Sequence, residues 1–174
     1  MMQEQKLQEL LDKQAITEVL YQYARAWDRR DEALLYSCFH TDATHTHGRH
    51  DGAAIDFIRM GLVATAQVAS ISHLLSNPLI VVKGDRALAE CSYLAHHRRP
   101  DGQGGEEDYF AKGRYLDKFA RRQGRWRILH RQGLRDFERI VTPAAMSVTT
   151  LPDDRRGQFK PDDPLYALLR DFGL

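Results

Sequence analysis

Hydrophobic residues recur at three- and four-residue steps through the first part of the chain. In residues 7–27 they are Leu7, Leu10, Leu11, Ile16, Val19, Leu20, Tyr23 and Trp27. This spacing puts them on one face and predicts an amphipathic first helix. A polar stretch, 28–31, interrupts the pattern, and Asp31 is placed to cap a second helix over 32–39. Two helices should therefore meet beside Asp28.

After a predicted third helix at 53–64, the pattern changes to β-branched and aromatic runs separated by glycine-containing turns. The runs predict strands at 43–47, 70–82, 87–97, 108–121 and 126–137, with the last two forming a hairpin. Strand alternation places Trp126 and Ile128 on one face of the hairpin and Arg131 on the other. Residues 48–52 and 100–105 are predicted as a turn and a loop.

Helices followed by an antiparallel sheet predict an α+β fold, a cone in which a strongly curved sheet wraps the helices and encloses an apolar cavity. Residues 1–141 form this domain. A proline-rich tail, 142–174, contains one short helix at 165–172 and covers either the cavity or an interface. Because the last hairpin is apolar on both faces, we also expect a homodimer or higher homo-oligomer formed through the outer sheet face.

Composition narrows the range of partners. The 174 residues, 43% of them hydrophobic, suit one globular domain, and a net charge of +1 argues against nucleic acid as a partner. No apolar run is long enough to span a membrane, and the N-terminus has no signal-peptide pattern, so a cytoplasmic protein is expected. Cys38 and Cys91 form no CxxC motif and are expected to be buried thiols.

Five polar side chains should share the predicted cavity: Tyr23, Asp28, His73, His97 and Arg131. Imidazole suits the removal of a carbon-bound proton near neutral pH, and a carboxylate on its other nitrogen would fix the tautomer. Four of these residues also have a structural interpretation. Asp28 could cap a helix or pair with a neighbouring arginine, His73 could satisfy backbone groups, Tyr23 could belong to the core, and Arg131 could pair with Asp117.

Four histidines, His40, His45, His47 and His50, lie within eleven residues. A metal site is one interpretation, since His45 and His47 would point to the same strand face. No further glutamate and histidine follow His50 at a matching spacing, so we expect polar residues at the cavity mouth or on the surface, and no metal. The cluster of residues 96–99 is expected to be a solvated turn.

Four segments resemble the SnoaL-like family of the nuclear transport factor 2-like superfamily. They are Ile16 to Leu20 with Tyr23 to Asp28, Ser72 to Asn77, Gly113 to Asp117 and Gly124 to Ile128, and the resemblance spans residues 7–137. Within the family the chain is most similar to scytalone dehydratase, hexachlorocyclohexane dehydrochlorinase and bile-acid 7α-dehydratase. The resemblance implies an Asp28–His73 catalytic pair. It also matches Tyr23 to the tyrosine of the bile-acid enzyme and Arg131 to the last-strand arginine of the dehydrochlorinase.

The sequence and the resemblance together predict a cofactor-independent lyase acting on a small apolar ring compound such as a steroid, terpenoid or aromatic catabolite. The dehydrochlorinase has a lysine in place of Tyr23, which favours loss of water or of a small aldehyde over loss of halide. The predicted catalytic residues are His73, Asp28, Tyr23 and Arg131, and the predicted substrate-binding residues are Trp27, His97, Tyr93 and Tyr115. Two alternatives remain: a binding module like the β subunit of ring-hydroxylating dioxygenases, and a polyketide cyclase or isomerase.

Overall fold

Six strands form a single curved sheet against which the helices pack. The computed structural model describes residues 2–142 and 151–173. The elements in chain order are α1 (Met2–Arg29), α2 (Glu32–Ser37), β1 (Phe39–His47), β2 (His50–Ala53), α3 (Ala54–Ala64), β3 (Ser70–Lys83), β4 (Arg86–Pro100), β5 (Glu106–Arg122), β6 (Arg125–Val141), a 3-10 turn (Asp153–Arg155) and α4 (Pro164–Asp171).

The strand order is β2-β1-β6-β5-β4-β3. Neighbouring strands are antiparallel except β1 and β6, which are parallel. The predicted α+β class with a curved, mostly antiparallel sheet is therefore confirmed. Across the described residues the sheet stays open, with β2 and β3 as its two edges.

Several boundaries differ from the sequence prediction, and residues 96–99, predicted as a solvated turn, lie within β4. The second helix ends at Ser37, because Phe39 already begins β1, where it pairs with Ile128 and is buried. Residues of the predicted turn form β2, which pairs with β1. Four residues are too few for an alternating pattern to stand out in the sequence.

The predicted faces of the last strand are wrong. Ile128 pairs with Phe119, whereas Arg131 pairs with Asp117, and the register shifts between these two positions. A β-bulge inserts one extra residue and so reverses the alternation. Ile128 and Arg131 consequently lie on the same inner face, each with 0% exposure.

The core lies between α1 and the inner sheet face. From α1 it receives Ile16, Leu20, Tyr23 and Trp27, the second half of the predicted stripe. The first half, Leu7, Leu10 and Leu11, is exposed. Among the helices in residues 2–142 and 151–173, none combines the length and apolar character needed to cross a membrane.

The described part of the tail packs against the junction of α1 and α2. The Lys160 ammonium lies 3.0 Å from a carboxylate oxygen of Asp31, and the Tyr166 hydroxyl donates to the other at 3.2 Å. Arg29 pairs with Asp163 at 3.1 Å. Residues 151–173 contribute no side chain to the cavity wall. Residues 143–150 of the predicted tail lie outside the described residues.

Candidate active site

A cavity of about 490 Å³ opens between α1, α3 and the inner sheet face. This is within the usual range for small-molecule sites. Its aromatic walls come from Tyr23, Trp27, Phe57, Tyr93, Tyr109 and Tyr115. Its polar and charged lining comes from His47, Arg49, His50, His73, His97 and Arg135.

Asp28 and His73 lie together, as the sequence predicts. One carboxylate oxygen of Asp28 is 2.7 Å from His73 Nδ1, and the other accepts the backbone N–H of His73 at 3.0 Å. Only 10% of the His73 side chain and 15% of the Asp28 side chain are exposed. When Nδ1–H donates a hydrogen bond to the Asp28 carboxylate, the lone pair of the ring lies on Nε2. His73 lines the cavity, so it can present a base there.

The position of Asp28 depends on how α1 ends. Arg30 takes a left-handed conformation, with φ of 51°, directly after the helix. This conformation costs free energy in a residue other than glycine unless other contacts stabilise it. The Arg30 guanidinium supplies such contacts, because it donates to the carbonyls of Thr65, Ala66 and Val68, which follow α3. With Arg29 bound to Asp163 in the tail, both residues after Asp28 are anchored.

Arg131 lies behind the cavity wall. Its guanidinium makes two bonds to Asp117, at 2.7 and 2.6 Å, and neither side chain is exposed. It stacks between the rings of Tyr23 and Tyr115, with its central carbon 4.0 and 4.2 Å from their centroids. The structural interpretation of Arg131, a cross-strand pair with Asp117, is confirmed. The cavity lining does not include Arg131, so its predicted contact with substrate has no geometric support.

Tyr23 does line the cavity, although it is 3% exposed and belongs to the core as well. Burial raises the pKa of its hydroxyl, an effect that Arg131 partly offsets. The hydroxyl therefore keeps its proton at neutral pH and can act as a donor.

All four predicted substrate-binding residues, Trp27, His97, Tyr93 and Tyr115, lie in the cavity wall. Trp27 packs so closely on α3 that a Cβ at Gly61 would come within 2.5 Å of its ring. Burial lowers the pKa of His97 to about 4, and the nearby His73 and Arg99 act in the same direction. His97 is therefore neutral near pH 7.

The histidine cluster divides between the core and the cavity. His40 bonds to the carbonyl of Ala120 at 2.9 Å, and His45 is fully buried against Phe57. His47 and His50 line the cavity. Within residues 2–142 and 151–173, no three histidine, cysteine or acidic side chains are placed to hold a metal ion.

Sequence reasoning missed Arg135, Tyr109 and Phe57 as lining residues. A signal for Arg135 was present, because positions 131, 133 and 135 alternate to one face. The sequence prediction assigned the functional role on this strand to Arg131 instead. Residues on α3, such as Phe57, become recognisable only once the helix is known to cover the cavity.

Comparisons with known proteins agree with this architecture. The profile of the SnoaL-like domain matches residues 8–132. Terrestric acid biosynthesis cluster protein E of Penicillium crustosum is 28% identical over 127 residues, covering 70% of this chain and 81% of that protein.

Two solved structures show a similar fold. Hexachlorocyclohexane dehydrochlorinase LinA-type3 from Novosphingobium barchaimii superposes with a TM-score of 0.70 at 20% identity, covering 82% of this chain and 98% of that one. A candidate scytalone dehydratase from Novosphingobium aromaticivorans gives 0.67 at 20% identity, covering 83% and 97%.

Proposed function

The chain belongs to the SnoaL-like family, and we propose that it is a cofactor-independent lyase in which His73 is the base and Asp28 its partner. The observation that carries this proposal is the 2.7 Å contact between Asp28 and His73 Nδ1 at the wall of a cavity of about 490 Å³. Similarity in fold to enzymes named for dehydration and dehydrochlorination supports it.

The proposed elimination begins at His73. Its Nε2 takes a proton from the carbon beside a carbonyl group, and Asp28 stabilises the imidazolium that forms. The electrons of the broken C–H bond form the C=C bond as the C–O bond to the β-hydroxyl breaks. Tyr23 donates a proton to the departing oxygen, so water leaves. The imidazolium then returns its proton to the tyrosinate, and the protein ends unchanged.

Retro-aldol cleavage fits the same groups. In that reaction His73 takes the proton of the β-hydroxyl, and the Cα–Cβ bond breaks as the aldehyde C=O bond forms. A small aldehyde leaves, and the imidazolium returns the proton to the α-carbon of the enolate. The aromatic walls suit a small apolar ring compound in both reactions, such as a steroid, a terpenoid or an aromatic catabolite.

Incubation with a panel of β-hydroxy carbonyl ring compounds, followed by mass spectrometry, tests the proposal. Loss of water or of an aldehyde from at least one compound is expected without added metal or cofactor. The variant His73→Ala should lower this turnover by roughly 10²–10⁴-fold, the usual effect of removing a positioned base. Asp28→Asn should also lower it, and the double variant should lose little more than His73→Ala alone.

His130→Gln is the matched control, because His130 does not line the cavity and its ring contacts Thr44. It should turn over substrate like the wild type. Near-normal turnover by His73→Ala would reject the catalytic assignment and favour a binding module. A product of unchanged mass would indicate a cyclase or isomerase.

A further inference from the structure

A row of polar side chains crosses the four strands β3 to β6 along the cavity wall. The ring of His73 on β3 lies 5.8 Å from that of His97 on β4, which lies 5.8 Å from that of Tyr109 on β5. The Tyr109 hydroxyl donates to Glu138 on β6 at 2.6 Å, and Glu138 contacts Arg135. Arg135 and His73 are thus separated by two intervening strands and face the cavity from different sides.

Arg135 has several side-chain contacts, yet 42% of its side chain remains exposed. One of its nitrogens lies 3.5 Å from His47 Nε2, and the guanidinium is within hydrogen-bonding reach of the Tyr93 hydroxyl. His47 reaches this position because residue 133 is glycine: a Cβ there would lie 2.4 Å from His47 Nδ1. Glu138, the only carboxylate that contacts Arg135 among the described residues, also accepts from Tyr109.

The surroundings of the lining histidines are cationic. Burial, with smaller contributions from Arg135 and Arg131 in the same direction, lowers the pKa of His47 to about 4. At His97, Arg99 acts beside burial in the same direction. Asp28 is already bonded through both oxygens to His73, and Glu138 is the carboxylate that contacts Arg135. Among the described residues, the cavity lining includes two arginines, Arg49 and Arg135, and no carboxylate. Such a lining favours ligands that carry a negative charge.

We propose that the substrate is an apolar ring compound with a carboxylate group, which Arg135 binds at one side of the cavity while the reacting carbon faces His73. A guanidinium presents paired N–H donors that match the two oxygens of a carboxylate. His47 and Tyr93 position Arg135, and the aromatic walls hold the ring. The assignment of the reacting end rests on the proposed function, whereas the carboxylate site rests on Arg135 and its neighbours.

Isothermal titration calorimetry at pH 7.5 with 2-naphthoate and 2-naphthamide tests the carboxylate site. The two probes share ring and shape and differ in charge. We expect the wild type to bind the acid at least about tenfold more tightly than the amide, because hydrogen bonds to charged groups are stronger than those between neutral groups. Arg135→Met should abolish this preference, and Arg135→Lys should keep part of it. Glu138→Gln should strengthen binding of the acid, because the ligand no longer competes with a carboxylate for Arg135.

Arg139→Met is the matched control, since Arg139 is an exposed arginine on the same strand outside the cavity wall. It should leave the preference unchanged. Equal binding of the two probes by the wild type, or a full preference in Arg135→Met, would overturn the proposal. His73→Ala should keep the preference even if it loses turnover. A failure of the lyase proposal is therefore separate from a failure of the carboxylate site.

Discussion

His45 is a fully buried histidine in an apolar setting. Neither ring nitrogen has a hydrogen-bond partner among the described residues, and the ring lies against Phe57 with centroids 3.8 Å apart. Burial, with a smaller contribution from Arg131 in the same direction, lowers the pKa of His45 to about 2. The folded protein therefore keeps this imidazole neutral at pH values where the unfolded chain protonates it.

This difference in protonation makes stability depend on pH. The unfolded state binds a proton at His45 below about pH 6.5 and the folded state does not, so stability is lost as the pH falls below that value. By pH 5 the loss from His45 is about 2 kcal/mol, and His47 and His97, whose pKa values are also lowered, act in the same direction.

His45→Phe should reduce the difference in unfolding free energy between pH 7.5 and pH 5 by about 2 kcal/mol, because the new ring cannot be protonated. Urea denaturation at the two pH values measures this. A variant with the same pH dependence as the wild type would contradict the explanation.

Residue chemistry was sufficient to predict the Asp28–His73 contact but not the position of Arg131. The first prediction needed only an acid at a helix end, a histidine on a strand and a family resemblance. The second needed the face of Arg131, and the bulge in β6 reversed it. A bulge depends on how two strands pair, which is not visible within one strand.

At the scale of elements, Asp31 lies where α1, α2 and the tail meet. One of its carboxylate oxygens accepts the N–H of Leu34 at 3.2 Å and caps α2, as the sequence predicts. The same side chain binds Lys160 and Tyr166 from the tail. The α2 cap and the tail contact therefore depend on the same carboxylate.

Asp31→Ala should lower the unfolding free energy by about 2–3 kcal/mol, since it removes the cap and leaves two tail groups without their acceptor. Tyr166→Phe removes one tail contact alone and should cost about 1 kcal/mol. Chemical denaturation of both variants measures the difference. Equal losses would mean that the cap and the Lys160 contact contribute nothing.

The predictability of an element followed its length and regularity. The stripe on α1 repeats over eight positions and so predicts the helix, whereas β2 has only four residues and its sequence indicates a turn. The sequence does not predict where the tail packs. The tail binds side chains such as Asp31, whose position in the sequence is already explained by its role as the cap of α2.

At the scale of the whole molecule, the outer faces of β3 and β4 carry one patch of exposed apolar side chains. Leu79, Val81 and Leu88 are 69%, 62% and 59% exposed, and Val81 and Leu88 are direct cross-strand partners. Leu116 and Lys118 on β5 continue the same face. A patch of this kind usually marks an interface.

We expect a second copy of the chain to cover this patch, which gives a homodimer. Analytical ultracentrifugation should give twice the mass of one chain. Val81→Lys should shift the protein towards monomer, because it places charge in the interface, and Gln22→Lys on α1 should not. A wild-type monomer at micromolar concentration would contradict the expectation.

Trp27 gives the cavity an optical reporter of its own. The chain has two tryptophans, and the other, Trp126, donates its indole N–H to Asp12 at 2.9 Å outside the cavity wall. Trp27 is fixed against Gly61 with its ring in that wall. A molecule that enters the cavity therefore changes the surroundings of one fluorophore and leaves the other as an internal reference. Intrinsic emission can thus follow occupancy across a compound library before any product is known.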